Sequence, residues 1–346
     1  MDLTEMRKIV AGLSKEDLQQ FKNVIDETLI GGIDFKAFMV QVIEQKFSDG
    51  LICPRCRSKH IIKNGFNRRK VQRYLCKDCG GFVPTTKTVF ANSKLSAGIW
   101  LKYAECMNQR MTLRETAKAV RVCLKTAFNM RHKILEAVKC SMDVDDLNGI
   151  LEMDESFFAE SFKGNHKKGN PNWKAPRVGG VSRKRGKEVH FRGISHEQVC
   201  VSSAMDRNGG LVLVPVCNGR LTTSALTGLY NGKVKPQSTI CTDSHNAYKK
   251  FAETIPADLI QIERGRHKKG VYHINHINSL HNKLKQWMKP LHGVATKYLT
   301  HYMYWFNWVE HNSKVSSTKR GEQLLLDSFS SRIIYTQKDV RNTKAF

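Results

Sequence analysis

The chain has 346 residues, enough for two or three domains with cores of their own, which excludes a small disulfide-stapled scaffold. Lysine and arginine number 57 against 31 acids, a formal charge of +26 that points to a polyanionic partner, nucleic acid ahead of a membrane surface. A 40% hydrophobic and 9% aromatic share excludes a disordered basic tail, and no apolar run approaches the roughly 18 residues of a membrane span.

Residues 1–47 are expected to form an accessory helical region, with Leu18, Phe21, Val24 and Ile25 at helical spacing and a break at Gly31 and Gly32. Asp2 and Glu5 stand where a signal peptide would need basic residues, so a cytoplasmic location is expected. Residues 48–92 hold Cys53 and Cys56, then nineteen residues, then Cys76 and Cys79. Two C-x₂-C knuckles across such a spacer predict a zinc ribbon, a tetrahedral four-thiolate Zn²⁺ site with no open position and hence a structural role. Between the knuckles lie Arg57, Lys59, Lys63, Arg68, Arg69, Lys70 and Arg73, with no acid among them. A one-signed run on a small platform suits DNA phosphates, although charge runs also serve merely as solvated faces.

Residues 93–146 read as three helices: Ala97 to Asn108, a second opened by a capping box at Thr112 and Glu115, and Leu124 to Val138. The tight turn at Arg121 and Val122 makes this a helix-turn-helix-like DNA-binding domain. Outward residues of its last helix would include Lys125, Thr126, Asn129, Arg131 and His132, while a plain three-helix bundle is the bland alternative. From Gly149 the pattern becomes α/β: strands at Ile150–Phe158, Gln198–Asp206, Leu211–Val216 and Ser238–Asp243, with a helix at Thr223–Tyr230. The insertion from Lys163 to Arg192 carries ten Lys/Arg, among them Arg183, Lys184 and Arg185, against Glu188 alone, and is expected to grip phosphates as a loop.

Asp154 and Asp243 each close an apolar strand, and alternation places Glu152, Asp154 and Ser156 on one face. Carboxylates at neighbouring strand ends suit Mg²⁺ or Mn²⁺, which promote in-line displacement at phosphorus. In the segment 273–288, read as a helix, Asn278 and Lys285 share a face. His273, His276, His281, His292 and His301 find no paired acid in the sequence and are assigned to DNA contact and packing. Tyr298, Tyr302, Trp305 and Val309 form a helical stripe expected to be core.

The order of ribbon, basic helices, Asp strand and Asp strand is followed by HisxxAsnSerxxxxLeuLysxTrpMet and by the segment 292–299. Together with Arg73-Tyr74-Leu75-Cys76-Lys77-Asp78-Cys79-Gly80-Gly81-Phe82, it resembles the zinc-ribbon transposases of bacterial insertion sequences, the ISXO type, over about residues 50–310. The resemblance implies an RNase H-like catalytic domain, here 147–312, and a DDE-type site. One branch of that family has Asn in place of the third acid and Lys seven residues later. By that match Asp154, Asp243, Asn278 and Lys285 inherit the catalytic roles, with Mg²⁺ held by Asp154, Asp243 and Asn278; Glu263 and Glu310 are alternative third acids. The implied partner is double-stranded DNA, element ends and target, bound by at least a dimer and associated with the bacterial nucleoid. The implied activity is hydrolysis at the element end followed by strand transfer. A repurposed transposase acting as a DNA-binding regulator is the competing reading, and a nuclease acting on RNA explains neither ribbon nor helices. The tail 313–346 is expected to dock on the catalytic domain.

Overall fold

The computed structural model describes residues 2–18, 29–30, 33–48, 50–53, 56, 58–66, 72–83, 93–142, 146–164, 172, 191–255, 257–263, 265–266, 268–331 and 335–346. Arg57, Arg68, Arg69, Lys70, Arg183, Lys184 and Arg185 lie outside them, as does most of the 163–192 insertion. The chain divides into two compact units, residues 1–138 with 315–337, and residues 139–314 with 338–346. No helix among the described residues is long and apolar enough to cross a membrane.

In the first unit, α1 (Leu3–Ala11) is followed by a two-stranded hairpin, β1 (Leu29–Ile30) with β2 (Ile33–Asp34), and by α2 (Phe35–Lys46). The antiparallel pairing of Ile30 with Ile33 corrects the wholly helical expectation for this stretch. The ribbon sheet is β3 (Ile61–Phe66), β4 (Gln72–Cys76) and β5 (Phe82–Val83), all antiparallel. Then come α3 (Ala97–Asn108), α4 (Leu113–Val120) and α5 (Leu124–Ser141). α4 starts on the capping box read from the sequence: Thr112 N donates to Glu115 Oε2 at 2.8 Å and Glu115 N to Thr112 Oγ1 at 3.3 Å. It stops at Arg121, which adopts the left-handed conformation at φ 57° and turns the chain into α5.

Only the first turns of α5 face outward. Lys125 is exposed and Thr126 and Asn129 are half-buried, but Arg131 and His132 are buried, which corrects their assignment as DNA contacts. The Arg131 guanidinium donates to Met111 O at 2.8 Å and Thr116 Oγ1 at 3.3 Å, and His132 packs on Phe128. A cation fully enclosed this way ties the three helices together. Arg131→Ala is expected to cost about 2–3 kcal/mol by leaving those acceptors unpaired in the interior, read as a lower urea midpoint.

The tail docks as expected only in its last residues, 338–346, which belong to the sheet-bearing unit, while its longer helix packs in the first unit. α10 (Ser317–Ser330) packs against α2 and α3: Phe38 stacks edge-on with Phe329 at 5.9 Å, and Asn108 Nδ2 donates to Ser317 O at 2.8 Å. A Cβ on Gly321 would stand 3.2 Å from the Glu105 Cα, so the glycine lets the two helices approach backbone to backbone.

The second unit is built on a five-stranded sheet of β6 (Ile150–Ala159), β7 (Gln198–Asp206), β8 (Leu211–Asn218), β9 (Ser238–Thr242) and β10 (Ala257–Gln261), in the order β10-β9-β6-β7-β8. β6, β7 and β8 run antiparallel as a meander, while β9 and β10 are parallel to β6. One face is covered by α6 (Thr223–Tyr230) and α7 (Asn246–Ala252). There Leu226, Tyr230, Tyr248 and Phe251 bury fully on Leu151, Met153 and Ile240. Burying one such Leu or Phe contributes roughly 2 kcal/mol, so this layer holds the sheet. The other face receives α8 (Asn275–Met288) and α9 (Leu299–His311). Tyr298, Tyr302 and Trp305 are buried, the core stripe expected of them, and Trp287 meets Trp305 edge-on at 4.9 Å. α11 (Gln337–Asn342) closes this unit, with Val340 O accepting from the Tyr298 hydroxyl at 3.1 Å.

Candidate active site

β6 and β9 pair in parallel, Ile150 with Thr239, Leu151 with Ile240 and Glu152 with Cys241. Two residues farther along the chain from that last pair come Asp154, still within β6, where alternation directs it to the face that carries α8, and Asp243, just past the end of β9. Asp154 is largely covered, its side chain 18% exposed, whereas Asp243 lies open just beyond the end of β9. Its loop is pinned. Asp243 Oδ1 accepts from His245 N at 3.0 Å, and Gln261, at the end of β10, donates to the Asp243 and His245 carbonyls at 3.1 and 3.3 Å. β10 is the strand that sequence patterning missed, a five-residue stretch with only short apolar content, and it is what fixes this loop.

α8 crosses the same face. Its N-cap, Ile274, has no side chain able to accept, and the acceptor comes instead from β6. Glu152 Oε2 takes the backbone N–H groups of His276 and Ile277 at 3.0 and 3.2 Å, and Oε1 lies 2.7 Å from His276 Nδ1 and 3.2 Å from His273 Nδ1. The expectation that these histidines lack an acid is thereby corrected, since their acid is 124 residues before His276 and no local pattern could show it. One turn on, the buried His281 bridges Ser203 Oγ at 2.9 Å and Asp154 Oδ2 at 3.5 Å. Asn278 and Lys285 are exposed. At about 100° per residue they fall about 60° and 40° to one side of His281, and the buried stripe of Ile277, Leu280 and Leu284 falls to the other. They therefore line the rim of α8 beside the residue that touches Asp154. The two alternative acids are otherwise engaged, Glu263 with Arg266 and Glu310 with Lys283, each at 3.3 Å.

Behind the pair, on the opposite face of β6, Glu155 accepts from the Tyr248 hydroxyl at 2.7 Å. Burial above all, with the charges of Asp154 and Asp243 adding to it and the Tyr248 hydrogen bond opposing it, pushes its carboxyl up to about 7. A glutamate ordinarily titrates near 4.5, so the folded chain holds this proton more tightly than the unfolded one. The stabilisation is complete below about 4.5 and is lost as pH rises through about 7. In metal-free buffer the wild type should lose about 3 kcal/mol between pH 4.5 and 8 relative to Glu155→Gln, seen by comparing urea midpoints. Parallel pH profiles for the two proteins would contradict the assignment.

The four ribbon cysteines converge as their spacing predicts. Their Sγ atoms lie within 4.8 Å of one another, with Cys53 to Cys79 at 3.5 Å and Cys56 to Cys76 at 3.6 Å. Thiolates each about 2.3 Å from one tetrahedral zinc would sit about 3.8 Å apart, so the set fits that ion. Gly80, at φ 65°, shapes the second knuckle, and the backbone amides of Cys79 and Asp78 hold the Cys76 thiol below its usual range. On the adjoining strands Arg73 is exposed, its Nε bonded to Asn64 O at 3.3 Å and its guanidinium 5.2 Å from the Phe82 ring centre. Lys163, by contrast, is occupied: its ammonium donates to the carbonyls of Leu291, His292 and Gly293 at 3.3, 2.8 and 2.8 Å. It acts as a structural clasp and is not a phosphate contact.

The ISXO2-like transposase domain family matches residues 146–311. The chain is 27% identical over 263 residues, 75% of its length and 84% of the relative's, to an uncharacterized protein in transposable element ISH50 of Halobacterium salinarum. Among solved structures, a pre-cleavage Mos1 transpososome covers 68% of this chain and 80% of its own at 11% identity and a TM-score of 0.20. A Mos1 transposase paired-end complex with the left transposon end covers the same shares at 11% and 0.21, and at those scores neither likeness carries a fold argument.

Proposed function

We propose that this chain, whose residues 146–311 match the ISXO2-like transposase domain family, cuts the ends of its element and joins them to target DNA. The observation that carries the reading is that Asp154, inside β6, and Asp243, just past the end of β9, each follow by two residues the paired positions Glu152 and Cys241 of adjacent parallel strands. The sheet order, a three-strand meander extended by two parallel strands on its first strand's side, supports an RNase H-like catalytic domain.

Asp154 and Asp243 would hold Mg²⁺ or Mn²⁺, with Asn278 supplying an amide oxygen as third ligand. When bound, the ion supplies Lewis-acid activation of the attacking oxygen and stabilises the leaving one. Lys285, on the same rim of α8, would bind a phosphate beside the scissile bond. The ribbon, with Arg73, and the first turns of α5, with Lys125, Thr126 and Asn129, would grip the terminal repeats. Because DNA binding releases counterions, Lys125→Ala should weaken binding evenly across sequences and reduce the salt slope by about one, with thermal stability unchanged. An unaltered slope would remove Lys125 from the interface.

The deciding experiment incubates the full chain with DNA carrying its element's ends in Mg²⁺ and resolves the products on a gel. End-specific nicks and strand-joined products are expected, and both should vanish in EDTA. Tight end binding with no cutting would instead make the chain a DNA-binding regulator.

A further inference from the structure

We infer that Glu152 is a positioning residue. As the N-cap that α8 lacks, it locks the helix carrying Asn278 onto the strand carrying Asp154. The inference rests on the proposed site and deepens it. A helix start leaves its first N–H groups without partners, and an anion placed there is also favoured by the helix dipole. The usual solution is a Ser, Thr, Asp or Asn at the cap itself, but position 274 is Ile, and no side chain of the cap accepts a hydrogen bond. Glu152 takes over with both oxygens: Oε2 serves two backbone amides, Oε1 serves the His276 ring, and His273 stands 3.2 Å away. It is 1% exposed, so its charge is held by these partners with almost no help from water.

What this clamp fixes is catalytic geometry. Glu152 lies two residues before Asp154 on the same face of β6, and it captures α8 at 276 and 277, immediately before Asn278. Four residues farther on from Ile277, His281 reaches Asp154. Helix and strand are thus fastened on both sides of Asn278, which fixes its place on the backbone of α8 relative to Asp154. An anchored outer partner of this kind typically governs ligand orientation and metal affinity.

The same three side chains, with ligand atoms within 4.8 Å of one another, also have the composition of a transition-metal site. The surroundings favour the clamp. The Arg207 guanidinium approaches His273 Nε2 at 3.5 Å, and the Asn275 backbone N–H donates to His273 Nδ1 at 3.4 Å, so donors face both ring nitrogens. A metal-binding Nδ1 would need an acceptor at Nε2.

The test measures Mn²⁺ binding to the full chain by titration calorimetry, with Asp154→Asn defining the site signal and circular dichroism confirming that each variant is folded. Glu152→Gln should weaken Mn²⁺ at that site roughly 10- to 100-fold, as loss of an outer-shell partner does. His276→Leu should weaken it less, and His276→Gln, which keeps a donor, should recover most of the loss. A merely structural role would lower the unfolding midpoint and leave the affinity of the folded chain unchanged, and that result overturns the inference. So does a second zinc per chain that disappears in His276→Leu, which would make the cluster a metal centre. Because the readout is ion binding, a wild-type chain that cuts no DNA would defeat the proposed function without touching this result.

Discussion

Asp154→Asn and Asp243→Asn should each reduce end cleavage by roughly 10³-fold or more while leaving retention of end DNA in a gel-shift assay within about twofold of wild type. The physical reason is that the two carboxylates each follow, by two residues, one paired position of neighbouring parallel strands, so one ion would need both. Either change then removes the site and not half of it. The double variant should therefore be no slower than the worse single one, because residues that act as a unit lose their effect together. If the two losses multiplied, the carboxylates would be acting independently and the shared-ion site would be wrong.

Cys53→Ser should have an effect of similar size on a different property. The ribbon core consists of Cys53, Cys76 and Val83 with Ile61 and Tyr74 packed against them, far too little apolar surface to order three short strands without help. Metal binding to such modules is worth about 10–16 kcal/mol at neutral pH, and nearly all of it is folding energy. Wild type should contain one zinc per chain by elemental analysis, and the variant none. Amide protection should be lost across Ile61–Val83 while it persists in the five-stranded sheet. A variant that kept its zinc and its protected amides would show that the four thiols are not the ligand set.

Much of this was legible in the sequence, for reasons that differ by residue. The four cysteines announce themselves by local spacing, and Asp154 and Asp243 by following apolar strand patterns; such signals need no tertiary information. The helix carrying Asn278 and Lys285 was readable from periodicity, and the structure puts both on its rim. Glu152 was visible as a face-mate of Asp154, but its partners were not. His273 and His276 meet it only because α8 is laid across β6, and nothing within 100 residues marks that contact. Arg131 misled for the opposite reason: a basic residue on a basic helix reads as a surface group, and its enclosure depends on acceptors in the preceding turn and helix, Met111 O and Thr116 Oγ1. β10 was missed because five residues with an acid at Asp258 carry little pattern, although parallel pairing to β9 needs only backbone.

The placement of α10 bears on how the molecule comes to be made. Helices 35–46 and 97–108 receive part of their packing from 317–330, and the whole sheet-bearing unit lies between them in the chain. A ribosome delivers residues 35–108 before the sheet, yet they wait for a segment made after the sheet before their shared interior can close. Loss of residues 315–346 would therefore unsettle both units at once, uncovering the interior of helices 35–46 and 97–108 and removing the segment that caps Tyr298.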